Sequence, residues 1–136
     1  MGLDIFFEKR NTANENAEPV ELAYFRKVNF LVKFMENYEE LENCTPMTLT
    51  KELVEELIES CDKVINLYET TENKIDFEKG AKEILPTTAG FFFGSTDYDD
   101  WYIDNVKDVK KEMETNVLPE FDTLKKNEEI TFHIWY

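Results

Sequence analysis

The chain is predicted to fold as an α+β domain: a small antiparallel sheet with about three main helices packed on it. Three observations carry that prediction. Apolar segments of strand character stand at both ends, residues 3–9 and 129–136, and amphipathic stretches at helical spacing lie between them. The 136 residues, 42% hydrophobic and 14% aromatic, are enough for a single domain, 1–136, with a core of its own.

Residues 3–9 put Leu3, Ile5 and Phe7 on one face and Asp4, Phe6 and Glu8 on the other, which is a strand pattern. Residues 11–19, polar with three Asn, read as a loop. From Leu22 a brief extended piece leads into a helix reaching about residue 40. Tyr24, Val28, Leu31, Val32, Met35 and Tyr38 share its stripe, with Arg26, Asn29, Lys33, Glu36 and Glu40 opposite. Pro46 marks residues 43–50 as a connection, and Thr50 is placed to cap a helix over 51–68. That helix carries Val54, Leu57, Ile58, Cys61, Val64, Ile65 and Tyr68 on one side and Glu52, Glu55, Glu56, Glu59 and Asp62 on the other. A stripe of one sign repels itself, so the packed face must hold the helix.

A short helix over 77–84 is closed by Pro86, whose ring disfavours helical geometry in the residue before it. Gly90-Phe-Phe-Phe-Gly94 reads as a buried strand or extended segment. Ser95 or Thr96 opens a further helix, roughly 99–117, which buries Tyr102, Ile103, Val106, Val109, Met113 and Val117 and is ended by Pro119. Asp97, Asp99 and Asp100 sit at its N-terminus, where the helix dipole favours negative charge. Over 129–136, Ile130, Phe132, Ile134 and Tyr136 alternate with Thr131, His133 and Trp135. An apolar strand at each terminus predicts that the two pair.

Thirty Asp and Glu against 15 Lys and Arg give a formal charge of −15. Such a surface repels phosphate backbones and anionic headgroups at long range, so direct nucleic-acid and membrane partners are disfavoured and basic protein surfaces favoured. Asp4 and Glu8 interrupt the first apolar run, which therefore does not resemble a signal peptide, and no apolar stretch is long enough to cross a bilayer. Cys44 and Cys61 are too few for a disulfide framework and read as reduced thiols, which places the protein in the cytoplasm.

No motif assigns a catalytic residue, a metal or a cofactor. One His133 and two separated Cys do not make a zinc site, and His133 is read as structural or surface. Asp97, Asp99, Asp100 and Asp104 invite a calcium reading that fails on detail. Counted from Asp97, Trp101 takes a ligand position, Tyr102 stands where Gly makes the turn, and Asp108 replaces the closing Glu. The glycines around Phe91–Phe93 are not followed by the Lys-Ser or Lys-Thr of a phosphate loop.

Trp101 lies away from the apolar stripe of its helix, so a large aromatic stands beside carboxylates, or else turns back over the sheet. Arg26, Lys27 and Asn29 are donors in an acidic chain and, with Asp4, Ser95 and Tyr98, are candidates to line a small polar pocket for a nucleotide-like ligand. The commoner role of such donors is to satisfy carboxylates and backbone groups.

Three segments carry a resemblance: Met-Gly-Leu-Asp at residues 1–4, Tyr24-Phe-Arg-Lys-Val-Asn29, and the block from Ile84 to Tyr102 that contains Leu-Pro-Thr-Thr-Ala-Gly-Phe-Phe-Phe-Gly-Ser. They resemble a family of small proteins of bacteriophages and prophage-bearing bacteria, with Phe25 where a Trp is expected. The resemblance implies an origin in phage or mobile elements, hence a bacterial host cytoplasm, and supplies no catalytic residue. The leading expectation is a non-enzymatic acidic binding or inhibitor protein. It would dock on a basic, nucleic-acid-binding surface of a host or defence protein and imitate nucleic-acid charge. Its patches would be Glu52, Glu55, Glu56, Glu59 and Asp62, and the cluster Asp97, Asp99, Asp100, Trp101 and Asp104. The alternative is a protein that binds or sequesters a small ligand or signalling nucleotide.

Overall fold

Strands β1 (Asp4–Asn11), β2 (Val20–Arg26), β3 (Met47–Thr48) and β4 (Glu128–Trp135) form one antiparallel sheet in the order β2-β1-β4-β3. The structure, a computed structural model, describes residues 2–136; Met1, which begins the Met-Gly-Leu-Asp segment, lies outside the described residues. The two terminal strands pair as expected, with Phe7 opposite Phe132 and Ile5 opposite Ile134. One sheet face carries Ile5, Phe7, Ala23, Phe25, Ile130, Phe132 and Ile134, all buried in the single hydrophobic cluster that the helices complete. Burying each large side chain of this strip contributes about 1.5–3 kcal/mol. The exposed ion pairs supply about 0–1 kcal/mol each, so the core decides the fold. The other face presents Asp4, Phe6, Glu8, Tyr24, Thr131 and His133.

The expected helices, about three main ones and a short one, are found among the described residues as α1 (Asn29–Glu36), α2 (Lys51–Thr70), α3 (Lys74–Ile84) and α4 (Asp100–Glu112). The α2 face is as predicted, with Val54, Leu57, Cys61 and Val64 fully buried, and Thr50 caps it by accepting the Leu53 N–H at 3.1 Å. The α4 stripe of Tyr102, Ile103, Val106, Val109, Met113 and Val117 is buried throughout. Among the described residues no helix is long and apolar enough to cross a membrane.

Several boundaries differ from the sequence reading. Tyr24 and Arg26 belong to β2 rather than to a helix, because Lys27 turns the chain at φ 60° before α1 begins. Asn29 is buried, not on a polar helix face. Asn73 caps α3 through the Asp76 N–H at 2.9 Å, so the helix starts earlier than Phe77. Asp99, not Ser95 or Thr96, caps α4 by accepting the Tyr102 N–H at 3.1 Å. Pro119 does not end that segment. A wide π turn (Met113–Val117) and then a 3₁₀ turn (Leu118–Thr123) continue it, with Pro119 at the start of the latter, where a missing N–H costs no bond. The Gly90–Gly94 run is no buried strand. Phe91 is 78% exposed and Phe92, at φ 63°, forms the tip of a turn, while Phe93 alone reaches the core.

Candidate functional site

The irregular segment 86–99 joins α3 to α4 without secondary structure of its own, and the buried Asn29 holds it in place. The Asn29 amide donates to the carbonyls of Phe93 (3.0 Å) and Ser95 (2.9 Å), and its oxygen accepts the Thr88 N–H at 3.1 Å. Buried backbone groups need partners, and this one side chain serves three of them. Asn29 therefore has the backbone-satisfying role and does not line a ligand pocket as a free donor. Tyr98 adds a second tie, accepting from the Thr87 N–H (2.9 Å) and hydroxyl (3.1 Å). The buried Tyr102 hydroxyl donates to the Leu85 carbonyl at 2.7 Å, and burial pushes its pKa up, so it stays neutral.

So tethered, the segment closes a groove of about 650 Å³ against the end of α2 and the starts of α3 and α4. Rings of Tyr68, Phe77 and Tyr98 line it, with Glu72, Glu78, Asp97, Asp99 and Asp100 on its walls and Lys74 as the cation among its lining residues. Tyr68 packs edge-on against Phe77 and donates to Asp100 at 3.0 Å; that bond, first of all, raises the Tyr68 pKa. The chain's own lysines already seek these rings: Lys82 Nζ lies 5.8 Å from the centroid of Tyr98 and Lys107 Nζ 5.9 Å from that of Tyr68. Asp99 and Asp100 also stabilise α4 from its first turn, so the same carboxylates serve fold and groove.

The predicted cluster Asp97 to Asp104 is thereby divided. Asp97, Asp99 and Asp100 enter the groove, Trp101 stands 65% exposed on another face of α4, and Asp104 borders a shallow depression with Lys107 and Lys111. Glu52, Glu55, Glu56, Glu59 and Asp62 are all exposed along α2, away from the groove. Glu59 pairs with Lys63 at 3.4 Å and Asp62 with Lys110 of α4. The pKa of the Tyr38 hydroxyl is pushed up to about 12, by burial first and by the neighbouring Glu56 carboxylate second.

Of the residues proposed for a small ligand, Arg26, Lys27 and Ser95 lie together, while Tyr98 lines the acidic groove. Asp4 holds Arg26 at 3.0 Å and also accepts from the Tyr24 hydroxyl. His133 stacks on Phe6 at 4.8 Å, with Glu8 3.4 Å from its Nδ1. Sequence reasoning missed Tyr68 as a groove ring, as well as Phe77, Glu72, Lys74 and Glu78. Three elements bring them together, and the one local hint was Tyr68, an aromatic at the end of an apolar stripe. No family model, no curated protein and no solved structure matches the chain.

Proposed function

We propose that the chain is a non-enzymatic binding protein whose acidic helical surface docks on a basic protein surface, with the α2/α3/α4 groove receiving a Lys or Arg side chain of the partner. The observation that carries this reading is the convergence of five carboxylates, from the α2–α3 turn, α3, the segment 86–99 and the start of α4, around an aromatic lining. Carboxylates alone hold a cation weakly in water, whereas a ring face beside them adds a cation–π contact and removes solvent from one side. The exposed α2 stripe supplies the longer-range field, which speeds encounter more than it tightens the complex. A phage or prophage origin, which the resemblance implies, fits a target among the nucleic-acid-binding or defence proteins of the bacterial host, whose basic sites such a surface would occupy.

The test is the affinity for an octa-arginine peptide, with inhibitor-type capture of host proteins scored alongside. Raising salt from about 50 to about 500 mM should weaken peptide binding by roughly tenfold or more. Reversing Glu72 and Asp97 to Lys should abolish it, whereas reversing Glu55 and Glu59 should mainly slow association. Binding unchanged in the Glu72→Lys, Asp97→Lys protein would sink the groove reading.

A further inference from the structure

A separate groove of about 370 Å³, sharing no lining residue with the acidic one among the described residues, runs between the end of β2 and α4. Its first wall holds Arg26, Lys27 and Ser95: two cations and a hydroxyl in a chain of net charge −15. The second wall is one face of α4, where Trp101, Asn105 and Asp108 recur at i, i+4 and i+7. The first wall is built, not accidental. Lys27 is fixed at φ 60°, and Gly94, at φ 87°, lies so near that a Cβ there would stand 3.0 Å from Lys27 Cβ. Arg26 is positioned by Asp4, and Gly2 packs on its guanidinium, where a Cβ would come within 2.6 Å of a guanidinium nitrogen. Val28, in the same wall, begins α1 without a side-chain cap, so the positive end of that helix starts there too.

The groove is therefore polar along its length. One end suits an anion, the exposed indole offers a stacking face, and Asn105 with Asp108 offers acceptors for N–H or hydroxyl donors. We infer that this groove binds a nucleotide, its phosphate at Arg26 and Lys27, its base on Trp101 and its donor groups toward Asn105 and Asp108. A bare anion would use only one end, and an apolar ligand would make no use of the Lys27 ammonium, Asn105 or the Asp108 carboxylate. The assignment is independent of the docking reading, because it concerns other residues.

The experiment titrates AMP, adenosine and inorganic phosphate into the folded protein. It follows thermal stability in the natural sequence and indole fluorescence in the Trp135→Phe protein, where Trp101 is the remaining indole. AMP should raise the melting temperature and quench Trp101, and adenosine and phosphate should each bind at least about tenfold more weakly. Lys27→Asn, which tolerates the positive φ, and Arg26→Gln should each weaken AMP by about tenfold while the free protein keeps its melting temperature. AMP without effect on stability and fluorescence overturns the inference. So does phosphate binding as tightly as AMP, or full AMP affinity in Lys27→Asn.

Discussion

The two grooves flank the start of the same helix and differ in local charge, one dominated by carboxylates and the other of mixed sign. One is walled by Glu72, Glu78, Asp97, Asp99 and Asp100 in the α2–α3 turn, α3 and the approach to α4; the other holds Arg26 and Lys27 where a strand gives way to a helix, with Asp108 on its α4 wall. A net charge of −15 sets the field at a distance, but within a groove the potential belongs to whichever elements meet there. The comparison also shows a shared dependence. Segment 86–99 supplies Asp97 and Tyr98 to one groove and Gly94 and Ser95 to the other, and Asn29 positions the segment for both.

The largest effect that would break the comparison is therefore at Asn29. Asn29→Ala strands two carbonyls and one N–H in and near the core. At roughly 1–3 kcal/mol for each buried group left unpaired, offset by water reaching the less buried ones, the expected loss is about 3 kcal/mol. Urea denaturation measures it, and both grooves should lose their ligands together. A loss below about 1 kcal/mol would mean that the segment holds its course without Asn29.

That residue also marks the boundary of what the sequence made legible. The pairing of the terminal strands, the α2 and α4 core faces and the Thr50 cap were readable, because each depends on local periodicity or a capping rule that few alternatives satisfy. Asn29 was not. Over residues 22–32 the apolar positions satisfy both a strand and a helix period, and the turn that separates β2 from α1 falls on Lys27, a residue type that gives no notice of positive φ. The aromatic run 91–93 was misread for a related reason. Glycine flanks and three Phe suggest burial, yet Leu3 donates to the Phe92 carbonyl at 3.1 Å and thereby fixes the turn that sends Phe91 outward. The acidic residues were found as types and positions; their convergence on Tyr68, Phe77 and Tyr98 was beyond reach, since it is set by how α2, α3 and α4 meet.

A smaller effect sharpens the comparison at Asp99, which is both the cap of α4 and a wall of the acidic groove. Asp99→Ala should cost about 1 kcal/mol and also weaken the arginine peptide. Asp99→Ser keeps a capping oxygen without the charge, so stability should be retained while peptide binding still falls. Equal peptide affinity in Asp99→Ser and the natural protein would leave Asp99 as a cap alone. AMP binding should survive in Asp99→Ser, because the nucleotide groove takes its carboxylate from Asp108.

The smallest effect comes from a region that belongs to neither groove and so serves as their control. On the open sheet face His133 stacks on Phe6, and its pKa lies below the ordinary 6.5, chiefly through burial; Glu8 acts in the opposite direction and Arg10 reinforces the lowering. A base whose pKa is lower folded than unfolded binds more protons when unfolded. Its contribution to stability is then complete above pH 6.5 and is lost as pH falls from there through the folded value. The urea midpoint of the natural protein relative to His133→Gln should accordingly decline between about pH 7 and about pH 5. A flat difference over that interval would show that His133 titrates as it does in the unfolded chain. The charges that act on His133 are those of Glu8 and Arg10, and neither residue lines a groove, so the decline should leave peptide and AMP affinity unmoved. Any pH dependence of those affinities would then have to be sought in the grooves themselves.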